Sequence, residues 1–348
     1  MRKTDSIIAI LFALAVFGAY TIYQPFLLSM VVALLLTMAT VNMHQKLSEH
    51  INSELLSALI LSLLLFLILF VPIIYIATIG VQYLTEIDAT TITNTTTKLT
   101  TLTENIPFVN EWFKENINDT KILETIKTST ATITKAGTKG FDFIKNVFLV
   151  IIFYFILNLY GEKLFNIMRN LLPMSYEEGD QILSEISSTM EIVFYSIIVT
   201  AIFEGILFGI MASFFGFDGL LFGIIYGFAS LIPIIGGAVV WVPVSLFAWS
   251  TIGSNQAIFI AIYSVVVISI IADTFIKPMI IKYIKDDVLN STVQINELLI
   301  FFSILAGMSS YGFWGMILGP AITSFLIAIS RIYINLYGYN AHKHIEHT

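Results

Sequence analysis

Ala229-Ser-Leu-Ile-Pro233-Ile-Ile-Gly236-Gly237-Ala-Val-Val-Trp241 sets a proline and two glycines inside an otherwise apolar tract, with long hydrophobic runs on both sides. Pro233 has no N–H for the carbonyl of Ala229, and its ring crowds that turn, so a helix must bend or stop there. In hydrocarbon an unsatisfied backbone group costs several kcal/mol, so irregular backbone at membrane depth has to pack within protein or line a polar cavity. Such a break in the middle of apolar sequence marks a route for something polar.

The surroundings are those of a bilayer. Of the 348 residues, 57% are hydrophobic and 12% charged, and the mean hydropathy is +0.87. An average soluble domain carries roughly 25% charged residues. Apolar runs near the roughly 20 residues needed for a crossing recur along the chain. The expected fold class is all-α: a polytopic integral membrane protein with about eight membrane helices, additional broken or re-entrant short helices, and a small helical insertion outside the membrane. The first run, Ile7 to Tyr23, leads through Gln24-Pro25 into a second and lacks a small-residue cleavage site, so it reads as a retained helix rather than a signal peptide. Zero cysteines exclude disulfides and thiolate chemistry, and a net charge of −7 argues against a nucleic-acid partner.

Five segments follow. Residues 1–83 carry a helix pair divided at Pro25, read as a tight hairpin, and one long crossing with a kink at Pro72. Residues 84–140 are threonine-rich, with Leu84, Ile87, Leu99, Leu102 and Ile106, then Ile122, Ile126 and Ile133, near helical spacing. Two amphipathic helices joined around Pro107–Trp112 would serve as a spacer or as a dedicated binding domain. Residues 141–192 hold a crossing to Tyr160, an interfacial amphipathic segment with Leu164, Ile167, Met168 and Leu171 on one face, and a capping box at Ser175–Glu178. Residues 193–336 form the transport core, and 337–348 a tail.

Within the core, 220–232 and 238–251 are each too short to cross alone. A crossing over 257–275 ends in Asp273-Thr-Phe-Ile-Lys277-Pro278, and 298–306 turns through 307–312 into a last apolar run. Gly216-Phe-Asp-Gly219-Leu-Leu-Phe-Gly223 and Gly312-Phe-Trp-Gly315-Met-Ile-Leu-Gly319 share one pattern, followed in the second case by Pro320. An internal duplication and close helix packing at small residues both account for it. Lysine and arginine counts in short loops put the N- and C-termini in the cytoplasm and 84–140 outside.

These residues resemble a known group. Pro233-Ile-Ile-Gly-Gly237 with Pro243, Asp273 with Lys277-Pro278, Ala306-Gly307 with Tyr311 to Pro320, and Arg169 with Pro173 are similar in order and spacing to the autoinducer-2 exporter-like (AI-2E) permease family. The likeness covers essentially the whole chain, and the C-terminal half carries its specific motifs. Tyr195-Ser196 stands where the family often has Gly-Gln, and Asn296-Glu297 where it often has His-Pro. These departures bear on substrate more than on fold. The resemblance implies a bacterial inner-membrane transporter, oligomeric. Named members are linked to export of the furanone quorum signal autoinducer-2, and others are similar to sodium/proton antiporters.

Several side chains are candidates for chemistry. Glu204 lies inside a crossing, where an ionised carboxylate costs a few kcal/mol, so it should face the interior as a proton or sodium site or as a neutral packing residue. Asp273 and Lys277 are spaced for a structural ion pair or an inner gate. Arg331 reads as a snorkelling side chain. Backbone N–H groups at Gly236, Gly237 and Ala238, with carbonyls before Pro233, offer donors and acceptors to a small polyhydroxylated solute. His342, His344 and His347 read as a tail rather than a metal site, and no metal or cofactor is expected. No Walker loop, HExxH or serine triad is present, so the expectation is no enzyme. Export of small polar molecules leads. A Na+/H+ antiporter using Glu204 and Asp273, or a membrane scaffold without transport, are the alternatives.

Overall fold

A computed structural model of the chain describes residues 3–80, 139–169, 175–232, 236–283 and 297–334, with isolated positions between 82 and 111. Among the described residues there is helix and turn and no strand. Six helical stretches are long and apolar enough to cross a membrane, and two shorter apolar helices lie between them. Leucines and isoleucines on their outer faces stay half-exposed, such as Leu59, Leu63, Ile206 and Ile210, as suits side chains meant for acyl chains. The protein is an all-α, multi-pass membrane protein.

Two compact units divide the chain. The first comprises residues 1–64, 142–190 and 306–348. It begins with α1 (Lys3–Ala39), a single helix that runs through Pro25. The expected hairpin at Pro25 does not form. A proline inside a helix loses one bond and costs about 3 kcal/mol, whereas a turn in this apolar sequence would free several backbone groups at several kcal/mol each. No glycine or Asx residue flanks Pro25 to build such a turn. Helix α2 (Val41–Ile51) ends at Asn52 in a left-handed conformation, and α3 (Glu54–Tyr75) leaves it, passing Pro72 into a π-helical turn over Ile76–Gly80. The expected irregularity at Pro72 is thus a widened turn.

Helix α4 (Lys139–Arg169) joins the crossing and the expected interfacial segment in one piece, since Gly161 alone does not stop a helix. The side chains of the amphipathic face lie outside the described residues. Helix α5 (Tyr176–Phe214) starts directly after Ser175, as the capping sequence anticipated, and ends at the expected place. Polar side chains tie this unit together. The Thr40 and Tyr154 hydroxyls are 2.7 Å apart, Ser187 Oγ donates to the Met38 carbonyl at 2.8 Å, and Ser57 Oγ donates to His44 O at 3.0 Å. Arg331, expected to snorkel, keeps its side chain half-exposed and pairs with the buried Glu185 at 2.7 Å.

The last part of this unit is a helix hairpin. Helix α10 (Glu297–Tyr311), whose first residues belong to the second unit, continues through Gly307, which therefore is not part of the turn. The turn is a 3-10 segment at Gly312–Trp314 with Gly312 at φ 59°, and α11 (Gly315–Tyr333) returns. Gly307 faces Gly315 and Gly319 across the hairpin so closely that a Cβ would overlap the Gly315 carbonyl.

The second unit comprises 65–141 and 191–305. Helix α5 turns into α6 (Gly219–Ser230) by a Schellman motif: Phe217 N–H bonds Ala212 O, Gly216 N–H bonds Ser213 O, and Gly216 takes φ 79°. Asp218 then caps α6 by accepting from Leu221 N–H at 2.9 Å. The two helices meet backbone to backbone. A Cβ on Gly205 would lie 2.6 Å from Gly223 O, and one on Gly227 2.7 Å from Ala201 O. Both copies of the glycine pattern therefore fold alike, as a left-handed glycine followed by a small-residue seam. Helices α7 (Gly236–Thr251) and α8 (Ser254–Tyr263) close the unit over a core that includes Phe208, Tyr226, Val244 and Ile260.

Two measurements test this packing. Gly205→Ala should lower thermal stability in detergent by about 1–3 kcal/mol, because both clashing partners are backbone. Gly18→Ala, whose Cβ meets nothing within 4 Å, should be neutral or stabilising, and equal behaviour of the two would refute the seam. For the ion pair, Arg331→Met and Glu185→Gln in a double-mutant cycle should give a coupling of about 1 kcal/mol, with additive values excluding the tie.

Candidate functional site

The helix break lies where the sequence placed it. Helix α6 stops at Ser230, and α7 starts at Gly236. On the α6 side Ile232 N–H bonds Ala229 O at 2.9 Å, a tightened last turn; on the α7 side Gly236 N–H bonds Ile232 O at 3.0 Å. Pro233 itself falls outside the described residues. Of the three N–H groups expected to face a ligand, that of Gly236 is occupied inside the turn. Gly236 also packs on the Ala229 carbonyl so tightly that any Cβ would overlap it. Gly237 abuts the Tyr226 hydroxyl, at 2.5 Å from an added Cβ, and the buried Tyr226 ring stacks on Phe208 at 4.4 Å. The glycines thus let two short helices cross at contact distance beside a buried phenol.

Glu204 is 4% exposed and turned into the second unit. It lies on α5 next to Gly205, whose seam with α6 brings the neighbouring turn to within backbone contact. Asp273 and Lys277 are on the continuation of α8, but that continuation is not an α-helix. From Ser264 to Ile276 the backbone is π-helical, and only α9 (Lys277–Tyr283) resumes α geometry, with Pro278 in its first turn. The i, i+4 argument for an Asp273–Lys277 pair assumed 3.6 residues per turn, and a π segment has more. The Asp273 side chain lies outside the described residues. Among the described residues no three His, Cys, Asp or Glu side chains gather as metal ligands.

The remaining candidates are structural. Gly216 and Gly312 make the turns; Gly219, Gly223, Gly307, Gly315 and Gly319 line the seams. Pro320 is buried within α11, where Ser324 Oγ donates to its carbonyl at 2.8 Å.

Sequence reasoning passed over several buried polar residues and one contact. Glu185 and Glu191 are buried on α5, and Ser196, Thr200 and Ser264 are buried hydroxyls. The signal was legible in the α5 run, which inserts a polar residue about once per turn into apolar sequence. A contact also ties the threonine-rich stretch to the short helices. Lys98 Nζ donates to Trp249 O at 2.8 Å, setting its charge on the last turn of α7, where the helix dipole favours a cation.

Comparison with known proteins agrees with this architecture. The profile of the AI-2E family transporters matches residues 6–335. A Helicobacter pylori (strain J99) protein is 33% identical over 335 residues, covering 94% of this chain and 95% of its own. A second H. pylori protein (strain 26695) is 41% identical over 187 residues, so the chain spans about half of that relative's length, 54%. A protein of Aquifex aeolicus is 29% identical over 199 residues, covering 57% of this chain and 53% of its own. All three carry names that assign them to transport without specifying a substrate. This chain belongs to the AI-2E transporter family.

Proposed function

We propose that the protein exports small polar molecules, autoinducer-2-like signals among them, across the bacterial inner membrane by alternating access around its broken helices. The observation that carries this reading is the interruption between Ser230 and Gly236, inside an apolar helix pair with a glycine seam. A break of this kind supplies polar backbone at membrane depth, and a seam without side chains allows one helix to slide on another. The Lys98–Trp249 contact supports a part for the outer stretch in holding α7. A proton or monovalent cation drives the cycle in this reading, with the buried Glu204 as its acceptor, and the subunits act as a homo-oligomer in the lipid bilayer.

The continuity of α1 supports a second orientation beside the cytoplasmic N-terminus read from the loops: a helix that crosses once carries the N-terminus to the face opposite α2, so with Lys46, Lys163 and Lys277 kept inside, the N-terminus would be outside.

Everted vesicles test the export reading. Uptake of autoinducer-2 should saturate in wild type and fall at least about tenfold in Gly237→Val, which drives a side chain into Tyr226. Unchanged uptake in that variant, or none in wild type, sinks it. The absence of cysteine makes the orientation directly measurable. A membrane-impermeant maleimide applied to spheroplasts should label Thr4→Cys and spare Gln45→Cys, and labelling of both or of Gln45→Cys alone restores a cytoplasmic N-terminus.

A further inference from the structure

Hydroxyls in apolar helices ordinarily bond back to the carbonyl one turn before, which satisfies them without water. Helix α5 follows the rule on both sides of its middle: Thr189 Oγ1 donates to Glu185 O at 2.9 Å, and Ser213 Oγ donates to Gly209 O at 2.9 Å. The stretch between does not. Ser196 Oγ and Thr200 Oγ1 are enclosed with no hydrogen-bond partner, on residues only 9% and 5% exposed. Rotation about one bond would turn either hydroxyl onto a carbonyl of its own helix, so two that forgo it in succession point to a ligand that satisfies them. Ser62 and Ser264 are in the same state but lie on other helices.

Three flanks of α5 are distinct at this level. Ile202, Ile206 and Ile210 are half-exposed and face acyl chains. Ala201, Gly205 and Gly209 form the seam with α6. Ser196 and Thr200 lie on neither flank. They are one turn apart, which sets their Cβ atoms about 5–6 Å from each other. Their flank continues to Leu207, about two turns beyond Thr200. There the Leu207 carbonyl accepts from Tyr263 Oη at 3.3 Å, so at that point α8 covers it. The hydroxyl pair therefore points into protein rather than into lipid. Glu204, one turn beyond Thr200, has interactions of its own and is not counted with the pair.

We infer that the Ser196–Thr200 flank of α5 lines the aqueous route through the second unit, and that its two hydroxyls take an uncharged hydroxyl ligand, either water or an O–H group of the solute in transit. Each side chain can donate and accept, so the pair serves O–H groups in succession along the helix. Neither carries charge, and two neutral hydroxyls do not offset the desolvation of an ion. The route so placed has side chains as lining beside the backbone of the helix break, where Gly236 N–H is already bonded to Ile232 O. The inference deepens the export reading and rests on it for what passes. Whether the flank is wet is measured without flux.

The chain has no cysteine, so Ser196→Cys and Thr200→Cys, each made singly in the full-length protein, report water at these positions. In membrane vesicles of both orientations, a small charged methanethiosulfonate should modify both thiols at least about tenfold faster than Ala212→Cys in the buried core or Ile206→Cys on the lipid flank. Slower modification in the presence of autoinducer-2 assigns the hydroxyls to the solute, and an unchanged rate assigns them to water. In detergent, Thr200→Val should lower Tm, because it removes a hydrogen bond to water, whereas an unpaired hydroxyl in a dry core would raise Tm when removed. Rates for both thiols no faster than for Ala212→Cys from either side, an equal rate for Ile206→Cys, or a higher Tm for Thr200→Val overturns the wet flank. Modification of both thiols with no uptake of autoinducer-2 leaves the flank standing and refutes the export reading instead.

Discussion

The requirement that every backbone N–H and C=O find a partner away from water governs this structure. In hydrocarbon the partner has to come from the chain, so helices continue wherever they can. Helix α1 runs through Pro25, and α4 through Gly161. Where α6 does stop, Ile232 N–H bonds Ala229 O, and Gly236 N–H at the start of α7 bonds Ile232 O. Each interruption is therefore a place where other forces exceeded the cost of breaking a helix. Between Ser230 and Gly236 those forces are a proline and the contact of Gly236 with Ala229.

Glycine acts in two distinct ways here. At Gly216 and Gly312 the backbone enters the left-handed region, which a side chain would strain. At Gly205, Gly223, Gly227 and Gly307 the conformation is ordinary and the need is steric, since carbonyls of the facing helix occupy the Cβ position. Lipid gives no hydrophobic push between helices, so association depends on such close approach.

The π segment and the polar stripe of α5 are complementary departures from regular membrane helix. A π-helix widens its turn, and the hydroxyls beside it forgo the backbonding that others in the chain adopt. Each is a local cost that a regular membrane helix avoids.

Hydropathy, proline and glycine positions and the loop motifs sufficed to read the membrane class, the two short helices ending at Ser230 and starting at Gly236, the ends of α5 and the burial of Glu204. These are local properties: a missing N–H, a length short of the bilayer, a charge that lipid rejects. Packing decided the rest. Whether Pro25 turns or continues a helix depends on the relative cost of one lost bond and several, and whether Gly307 bends the chain or seats a neighbour depends on what stands opposite. The 13-residue π segment has no counterpart in the hydropathy pattern, and the Arg331–Glu185 pair joins residues far apart in sequence. No periodicity in one helix records what a second helix will place beside it.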